Sequence, residues 1–294
     1  MFKFILILLS LTSALFAYTA VSDANQDLMN SIISYSKDGT IYLDELFVTL
    51  QTKLFQNAYL GVLFLIPFIF FVHYLIIGPK VFSHDGKKIY LFTLFNRIIH
   101  AISALSFMVL IPTGLIMMFG SFFGGGSFVI ICKELHAIST ILFAISIVPM
   151  FIMWFKNMLF DSDDIKWIMI LGGYLSKVKK PIPAGKFNAG QKMWFWVCTL
   201  GGLLMIVTGA ILYFHEINVY LLSLLGLTQI QMLRLSVILH NFIGLAVTAL
   251  FFTHIYMSMI AIKGAIYSII NGYKEEEEVK ILHSTFYKKL INRK

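Results

Sequence analysis

Two histidines lie in one long apolar stretch near the end of the chain, SVILHNFIGLAVTALFFTHIYM, residues 236–257. The stretch contains no Asp, Glu, Lys or Arg, and an ionisable ring in such a segment is costly and commonly functional. His240 and His254 are 14 residues apart. Over that distance an α-helix rises about 21 Å and returns to within roughly 40° of the same direction. Both imidazoles are therefore predicted to point to one side of a membrane helix, one near each membrane face.

The residues between the two histidines decide between two kinds of chemistry. A proton relay would need polar groups along the way, but beyond Asn241 the only later hydroxyls are those of Thr248 and Thr253. A large, flat, apolar cofactor fits this setting better. Haem iron takes an axial imidazole nitrogen, and the rim of the macrocycle packs against apolar side chains. The spacing therefore favours two haems, one at each end of the helix.

Two six-coordinate haems need four histidines, so each ring needs a partner at its own depth. Near the outer face, His240 can pair with His136, which begins one predicted helix, or with His215, which ends another. Near the inner face, the corresponding choice for His254 is between His100 and His73. Depth alone leaves both choices open.

One nearby charge favours His100 at the inner level. Arg97 precedes His100 by three residues, about one helical turn, and could bond a haem propionate at the inner surface. His84 and His283 fall in polar segments and are interpreted as surface residues.

The whole composition requires a membrane around these residues. Hydrophobic residues make up 59% of the 294 residues, only 13% are charged, and this balance excludes a soluble domain of that length. The fold class is predicted to be all-α and polytopic, because runs of about twenty apolar residues span a bilayer as helices. Five such runs are predicted, at 58–77, 98–119, 135–155, 193–214 and 235–262.

The N-terminal part of the chain is predicted to lie outside the cytoplasm. Residues 1–17, MFKFILILLSLTSALFA, have one lysine, a short apolar run and small residues at the end, as secretory signal peptides do. Residues 18–57 are polar and slightly acidic, and we interpret them as a periplasmic segment. Residues 58–78 are then an extra transmembrane helix that precedes the others.

The distribution of basic residues predicts the same orientation. The segments 78–97, 156–192 and 263–294 together hold 18 Lys and Arg, against 4 on the opposite side, which is a strong positive-inside bias. The net charge of +8 is therefore ascribed to topology, and no nucleic-acid partner is expected. The C-terminal tail, 274–294, is predicted to be cytoplasmic, and its KEEEEVK run is interpreted as a solvated helix face.

Several segments between residues 97 and 273 occur in the order of a known family. They are NRIIHAISAL, KELHAISTILFAI, KFNAGQKMWFW, LLMIVTGAILYF, VILHNFIGLAV and FFTHIYMSMIAIKGAIYSIINGYKE. Together they resemble the cytochrome b (gamma) subunit of membrane-bound respiratory formate dehydrogenases. The NAGQK loop and HIYMSMIAIKGAI carry the most specific part of the likeness. The resemblance implies a four-helix bundle over residues 97–273 that holds two b-type haems, to which this chain adds its N-terminal helix.

The resemblance also implies which side chains bind these groups. It places one haem between His136 and His240 on the outer side and the other between His100 and His254 on the inner side. His73 and His215 match no family ligand. A menaquinone site beside the inner haem is implied next to His254, in the loop that contains Asn188, Gly190 and Gln191. From the residues alone, a polar turn before a helix is the favoured interpretation of this loop.

The function implied by the resemblance is electron transfer across the bacterial inner membrane. Electrons would come from a periplasmic iron–sulfur subunit, cross between the two haems, and reduce menaquinone near the cytoplasmic face. Formate itself would be oxidised on a separate catalytic subunit, because this chain offers no group for that reaction. The cytochrome b subunit of a nickel–iron hydrogenase or of a sulfur-compound reductase is the nearest alternative. A haem-free transporter whose histidines line a pore is the alternative from another class.

Overall fold

The computed structural model describes residues 41–83, 86–214 and 227–292. In these ranges five helices are long and apolar enough to cross a membrane, and this confirms the predicted all-α, polytopic fold. We number them spans 1 to 5: Leu43–Ile76, Leu94–Met118, Gly126–Met158, Ala189–Tyr213 and Gln229–Ala261. The predicted signal peptide, most of the segment 18–57, His84 and His215 lie outside the described residues.

The helices of the described residues include several short ones between and after the spans. The α-helices are Ile41–Thr49, Gln56–Ile76, Leu94–Met118, Gly126–Trp154, Ser162–Met169, Ala189–Trp196, Gly202–Tyr213, Gln229–Ile255, Tyr267–Ile270, Glu276–Leu282 and Ser284–Ile291. Turns of π-helix at Leu50–Phe55, Val197–Gly201 and Tyr256–Ala261 continue spans 1, 4 and 5. Turns of 3-10 helix occupy Phe155–Met158 and Leu171–Gly173.

The described residues belong to two compact units, and each of the five spans contributes residues to both. Of the described residues, the first unit comprises 41–60, 107–140, 206–214 and 227–242, and the second comprises 61–83, 86–106, 141–205 and 243–292. The two predicted outer histidines, His136 and His240, lie in the first unit. The two predicted inner ones, His100 and His254, lie in the second.

Span 1 continues further towards the N-terminus than the sequence predicted. Its helix begins at Ile41 rather than near Ala58, because Asp44 near its start is paired within the first unit. Asp44 is buried and forms an ion pair with Arg234, which lies near the start of span 5. In the same unit, the Tyr59 hydroxyl donates to the backbone carbonyl of Asn241 at 3.2 Å. These contacts bind the extra helix to span 5.

A small sheet that the sequence did not predict lies in the second unit. Strand β1, Lys88–Tyr90, pairs antiparallel with strand β2, Tyr273–Glu275, so that Lys88 lies opposite Glu275. A single parallel bridge joins Lys80 to Ile262, the residue just after span 5. The sheet and the bridge connect the segment between spans 1 and 2 to the beginning of the tail.

The interpretation of KEEEEVK as a solvated helix face is wrong for part of that run. Glu278 and Lys274 are both buried and form an ion pair with each other. Glu277 is only half-buried and pairs with Lys179 at 3.1 Å. A buried pair of this kind depends on long-range packing of the tail, which an acidic run of sequence does not reveal.

His283, interpreted from the sequence as a surface residue, is also buried in the tail. Its ring N–H at Nδ1 donates to the carbonyl of Gly185 at 2.8 Å. Burial, together with the charge of Lys274, lowers the pKa of His283 to about 3. The folded tail therefore holds a neutral imidazole throughout the ordinary pH range.

This buried histidine predicts that the tail loses stability in mild acid. Below about pH 6.5 the unfolded chain binds a proton that the folded chain excludes, so stability falls by up to about 1.4 kcal/mol per pH unit until about pH 3. Hydrogen exchange of residues 273–291, corrected for intrinsic rates, should show weaker protection at about pH 5.5 than at about pH 7.5. His283→Asn retains an N–H donor and should remove most of this pH dependence. The same pH dependence in both proteins would contradict the assignment.

Candidate functional site

Two pairs of histidine rings face each other inside the spans, one pair in each unit. His136 of span 3 lies against His240 of span 5, with ring centroids 6.4 Å apart. His100 of span 2 lies against His254 of span 5, with ring centroids 6.2 Å apart. We call these the outer pair and the inner pair, after the membrane sides that the sequence predicts for them. The structure thus brings together the residues that the resemblance paired, although their role as ligands stays a prediction.

The distance between the rings of each pair suits one metal atom held between them. A metal–nitrogen bond of about 2 Å to each ring, with about 1 Å more from nitrogen to ring centre, spans roughly 6 Å. Among the described residues, no group of three or more His, Cys, Asp or Glu side chains is placed to hold a metal ion. Two histidines alone fit a metal that brings its own equatorial ligands, as haem iron does.

The outer pair has polar partners that the sequence analysis did not identify. Nδ1 of His136 lies 2.9 Å from the hydroxyl of Thr113, and Nδ1 of His240 lies 2.9 Å from the hydroxyl of Thr208. In both rings this contact is made by Nδ1, and Nε2 is the nitrogen that would bind a metal. The signal in the sequence is the dipeptide Thr-Gly, which occurs once in span 2 and once in span 4.

The inner pair has apolar surroundings and one cationic neighbour. The indole of Trp194 stacks on the ring of His254, with centroids 5.5 Å apart and an interplanar angle of 20°. Arg97 donates from Nη1 to the carbonyl of Ile270 at 2.5 Å, while its Nε is buried with no hydrogen-bond partner among the described residues. A buried donor without a partner is costly, so this site fits an anionic group such as a haem propionate.

His73, the alternative ligand near the inner face, has other partners. Its Nδ1 lies 2.6 Å from the hydroxyl of Tyr256, and its Nε2 lies 2.9 Å from the carbonyl of Tyr174. Because a carbonyl only accepts, Nε2–H donates to Tyr174 and Nδ1 accepts from Tyr256. Both ring nitrogens are thereby occupied, which leaves His73 no lone pair for iron. His215, the alternative near the outer face, lies outside the described residues.

The predicted quinone loop forms a capped helix start. The side-chain oxygen of Asn188 accepts from the backbone N–H of Gln191 at 3.0 Å, and the side-chain oxygen of Gln191 accepts from the backbone N–H of Asn188 at 2.9 Å. This reciprocal capping box explains the two amides by local structure alone. It uses only their oxygens, however, and the two NH₂ groups are still donors.

Packing around the loop explains its glycine and fixes its position. A Cβ added to Gly190 would come within 3.0 Å of the Trp167 ring, so the close approach of this indole requires glycine. Lys192 is buried and forms ion pairs with Asp164 at 2.7 Å and with Asp161 at 3.3 Å. These contacts attach the helix Ser162–Met169 to the start of span 4.

A lysine next to the loop lies against aromatic rings. The ammonium group of Lys186 lies 5.0 Å from the ring centroid of Phe92 and 5.8 Å from that of Phe187. Partial burial lowers the pKa of Lys186. The attraction between the cation and the two rings stabilises the segment that leads to Asn188.

The fold and the paired histidines define a helical membrane protein of the cytochrome b type. Comparison with known families agrees, because residues 91–272 match the family model described as prokaryotic cytochrome b561. The match covers more than half of the chain, and the chain therefore belongs to the prokaryotic cytochrome b561 family. Membership of this family implies haem b as the cofactor, and it disfavours a haem-free transporter.

Three curated relatives are similar to this chain. The formate dehydrogenase cytochrome b556 subunit of Haemophilus influenzae is 26% identical over 165 residues, which are 55% of this chain and 65% of the relative. The nitrate-inducible formate dehydrogenase cytochrome b556(Fdn) subunit of Escherichia coli K12 is 27% identical over 162 residues, or 54% of this chain and 70% of the relative. The cytochrome b556(fdo) subunit of the same organism is 26% identical over 203 residues, or 66% and 90%. The resemblance drawn from the motifs is thereby confirmed.

Replacing single histidines should remove the haems pair by pair. His136→Ala and His240→Ala are each expected to lose the same haem and to retain the other, because one remaining imidazole holds the iron too weakly. His100→Ala and His254→Ala should lose the second haem. Haem content per chain, with the two signals separated by redox titration, measures this.

His73→Ala is the control for these variants, and it should retain both haems. Loss of a haem in His73→Ala, or loss of different haems in His136→Ala and His240→Ala, would contradict the pairing.

Proposed function

We propose that this chain is the membrane-anchoring di-haem b subunit of a formate dehydrogenase, carrying electrons from a periplasmic iron–sulfur subunit to menaquinone near the cytoplasmic face. The observation that carries the proposal is the presence of two facing histidine pairs with one member of each on span 5. The family and the names of the three relatives support it. Each haem b, when bound, supplies an iron that carries one electron.

The residues of the chain have separate tasks in this function. The four paired histidines would hold the iron atoms, and Nε of Arg97, which has no hydrogen-bond partner among the described residues, would donate to a haem propionate. The apolar side chains of the spans exclude water, which keeps the low-dielectric surroundings that a membrane electron carrier needs. Because His240 and His254 are 14 residues apart on a continuous helix, the two sites are separated by about 21 Å along it.

The proposed direction of electron flow makes the reaction electrogenic. The positive-inside bias supports a periplasmic position for the outer pair and a cytoplasmic position for the tail. An electron that moves inward leaves positive charge outside, and it works against roughly 2.3 kcal/mol for each 100 mV of membrane potential. Proton uptake for menaquinone reduction from the cytoplasm would add to this charge separation.

The side chains proposed to bind menaquinone are those of the capped loop next to the inner pair. Asn188 and Gln191 each retain an NH₂ group that can donate to a quinone oxygen while the amide oxygen caps the helix. Gly190 keeps the loop free of a further side chain, and His254 is the ligand on the inner side. Formate oxidation is assigned to a partner catalytic subunit.

The identity of the electron donor can be tested in membranes that contain the assembled complex. Formate should reduce the b haems within the turnover time, whereas hydrogen and reduced sulfur compounds should not. Reduction by hydrogen or by a sulfur compound in the absence of formate would show that the chain belongs to the hydrogenase or sulfur-reductase class. A strain that lacks the chain is the control for haems of other complexes.

The quinone site can be tested without removing the helix cap. Asn188→Asp and Gln191→Glu keep the capping oxygen and remove the NH₂ donors, so the helix start should stay intact while quinone binding weakens. Loss of one hydrogen bond to the quinone should slow formate-driven menaquinone reduction severalfold to about tenfold. Both haems should still be reduced by formate, and thermal stability should not decrease. Unchanged turnover in both variants would reduce the loop to a structural turn.

A further inference from the structure

A repeated dipeptide lies beside the outer pair. Thr113 and Gly114 of span 2 contact His136, and Thr208 and Gly209 of span 4 contact His240. A Cβ added to Gly114 would touch Cε1 of His136 at 3.4 Å. A Cβ added to Gly209 would meet Cε1 of His240 at 3.5 Å. Two helices thus present the same two residues, in the same order, to the two rings.

The hydrogen bonds of Thr113 determine where the proton of His136 lies. The hydroxyl of Thr113 donates its single hydrogen to the backbone, at 2.7 Å from the carbonyl of Val109. When it does so, the hydroxyl can only accept from Nδ1 of His136, 2.9 Å away. In this arrangement His136 carries its proton on Nδ1, and Nε2 is the nitrogen that would bind iron.

For His240 the position of the proton follows if the ring binds a metal. A neutral imidazole that binds a metal through Nε2 carries its proton on Nδ1. Nδ1 of His240 lies 2.9 Å from the hydroxyl of Thr208, so Thr208 is the acceptor when this ring is a ligand. Each ring of the outer pair then donates its Nδ1–H to a threonine hydroxyl. Donating such a hydrogen bond makes a metal-bound imidazole more basic.

The inner pair lacks this arrangement. Among the described residues, no hydrogen bond reaches a ring nitrogen of His100 or His254, and His254 has the apolar face of Trp194 against it. The imidazoles of the outer pair are therefore stronger electron donors to a metal than those of the inner pair. A stronger donor stabilises the higher oxidation state of the metal more than the lower one.

We propose that Thr113 and Thr208 are positioning residues that hold the outer histidines in the Nδ1–H tautomer and make the outer haem the more readily oxidised of the two. An electron on the outer haem would then pass to the inner one downhill, which gives the inward direction a basis in the fold. This inference rests on the proposed function only in requiring that the chain binds two haems.

The test compares valine variants of Thr113 and Thr208 with a valine variant of Thr248, a threonine of span 5. Thr113→Val and Thr208→Val remove the acceptor with little change in volume. Thr248→Val is the matched control, because the buried hydroxyl of Thr248 bonds the carbonyl of Gly244 at 2.7 Å. Thr113→Ser restores the acceptor and should behave as the parent chain does. The purified chain with both haems is titrated optically, and low-spin electron paramagnetic resonance reports the ligand field of each iron.

The expected result is that the reduction potential of one haem becomes more positive. The same haem should be affected in Thr113→Val and in Thr208→Val. A tenfold loss of preference for the oxidised iron corresponds to about 59 mV for a one-electron couple. Loss of the outer haem alone, reversed in Thr113→Ser and absent in Thr248→Val, supports the same role.

Unshifted waves in both valine variants, or an equal shift in Thr248→Val, would overturn the inference while leaving the di-haem function intact. A parent chain without two b haems would instead refute the proposed function itself.

Discussion

An imidazole inside the hydrocarbon of a membrane is stable only when both of its polar nitrogens have partners. The described chain meets this requirement for His73, whose two nitrogens are bonded to Tyr256 and Tyr174. For His136 and His240 it supplies a partner at Nδ1, and it turns the two rings towards each other at 6.4 Å. The ring centroids are far enough apart for one metal atom to lie between them. We therefore propose that each facing pair would bind one iron.

The same constraint organises the surroundings of each pair. Threonine and glycine on spans 2 and 4 lie beside the two outer rings, whereas Trp194 stacks on His254 of the inner pair. At the inner level, the unpaired Nε of Arg97 marks where a negative charge is needed. The two sites thus share their ligand type and differ in polarity. This difference gives the protein a means of making the two haems unequal.

Run length predicted the five spans, while the common direction of His240 and His254, drawn from the helical period, stays a prediction. They could not choose between His100 and His73, because both lie at a suitable depth and only hydrogen bonds distinguish them. The start of span 1 was missed because Asp44 resembles solvent-exposed sequence until its pairing with Arg234 is known. Thr113 and Thr208 were missed for the same reason, since a hydroxyl in a membrane helix ordinarily bonds its own backbone. In each case the missing information was a contact between residues distant in sequence.

The central claim is that each facing histidine pair holds one haem b, and haem stoichiometry tests it most directly. A pyridine haemochrome assay on the purified full-length chain, with protein determined by amino-acid analysis, gives the number of b haems per chain. The account predicts two, with a bis-histidine low-spin spectrum for both. A chain that contains no haem, or only one, after expression with ample haem supply would contradict it.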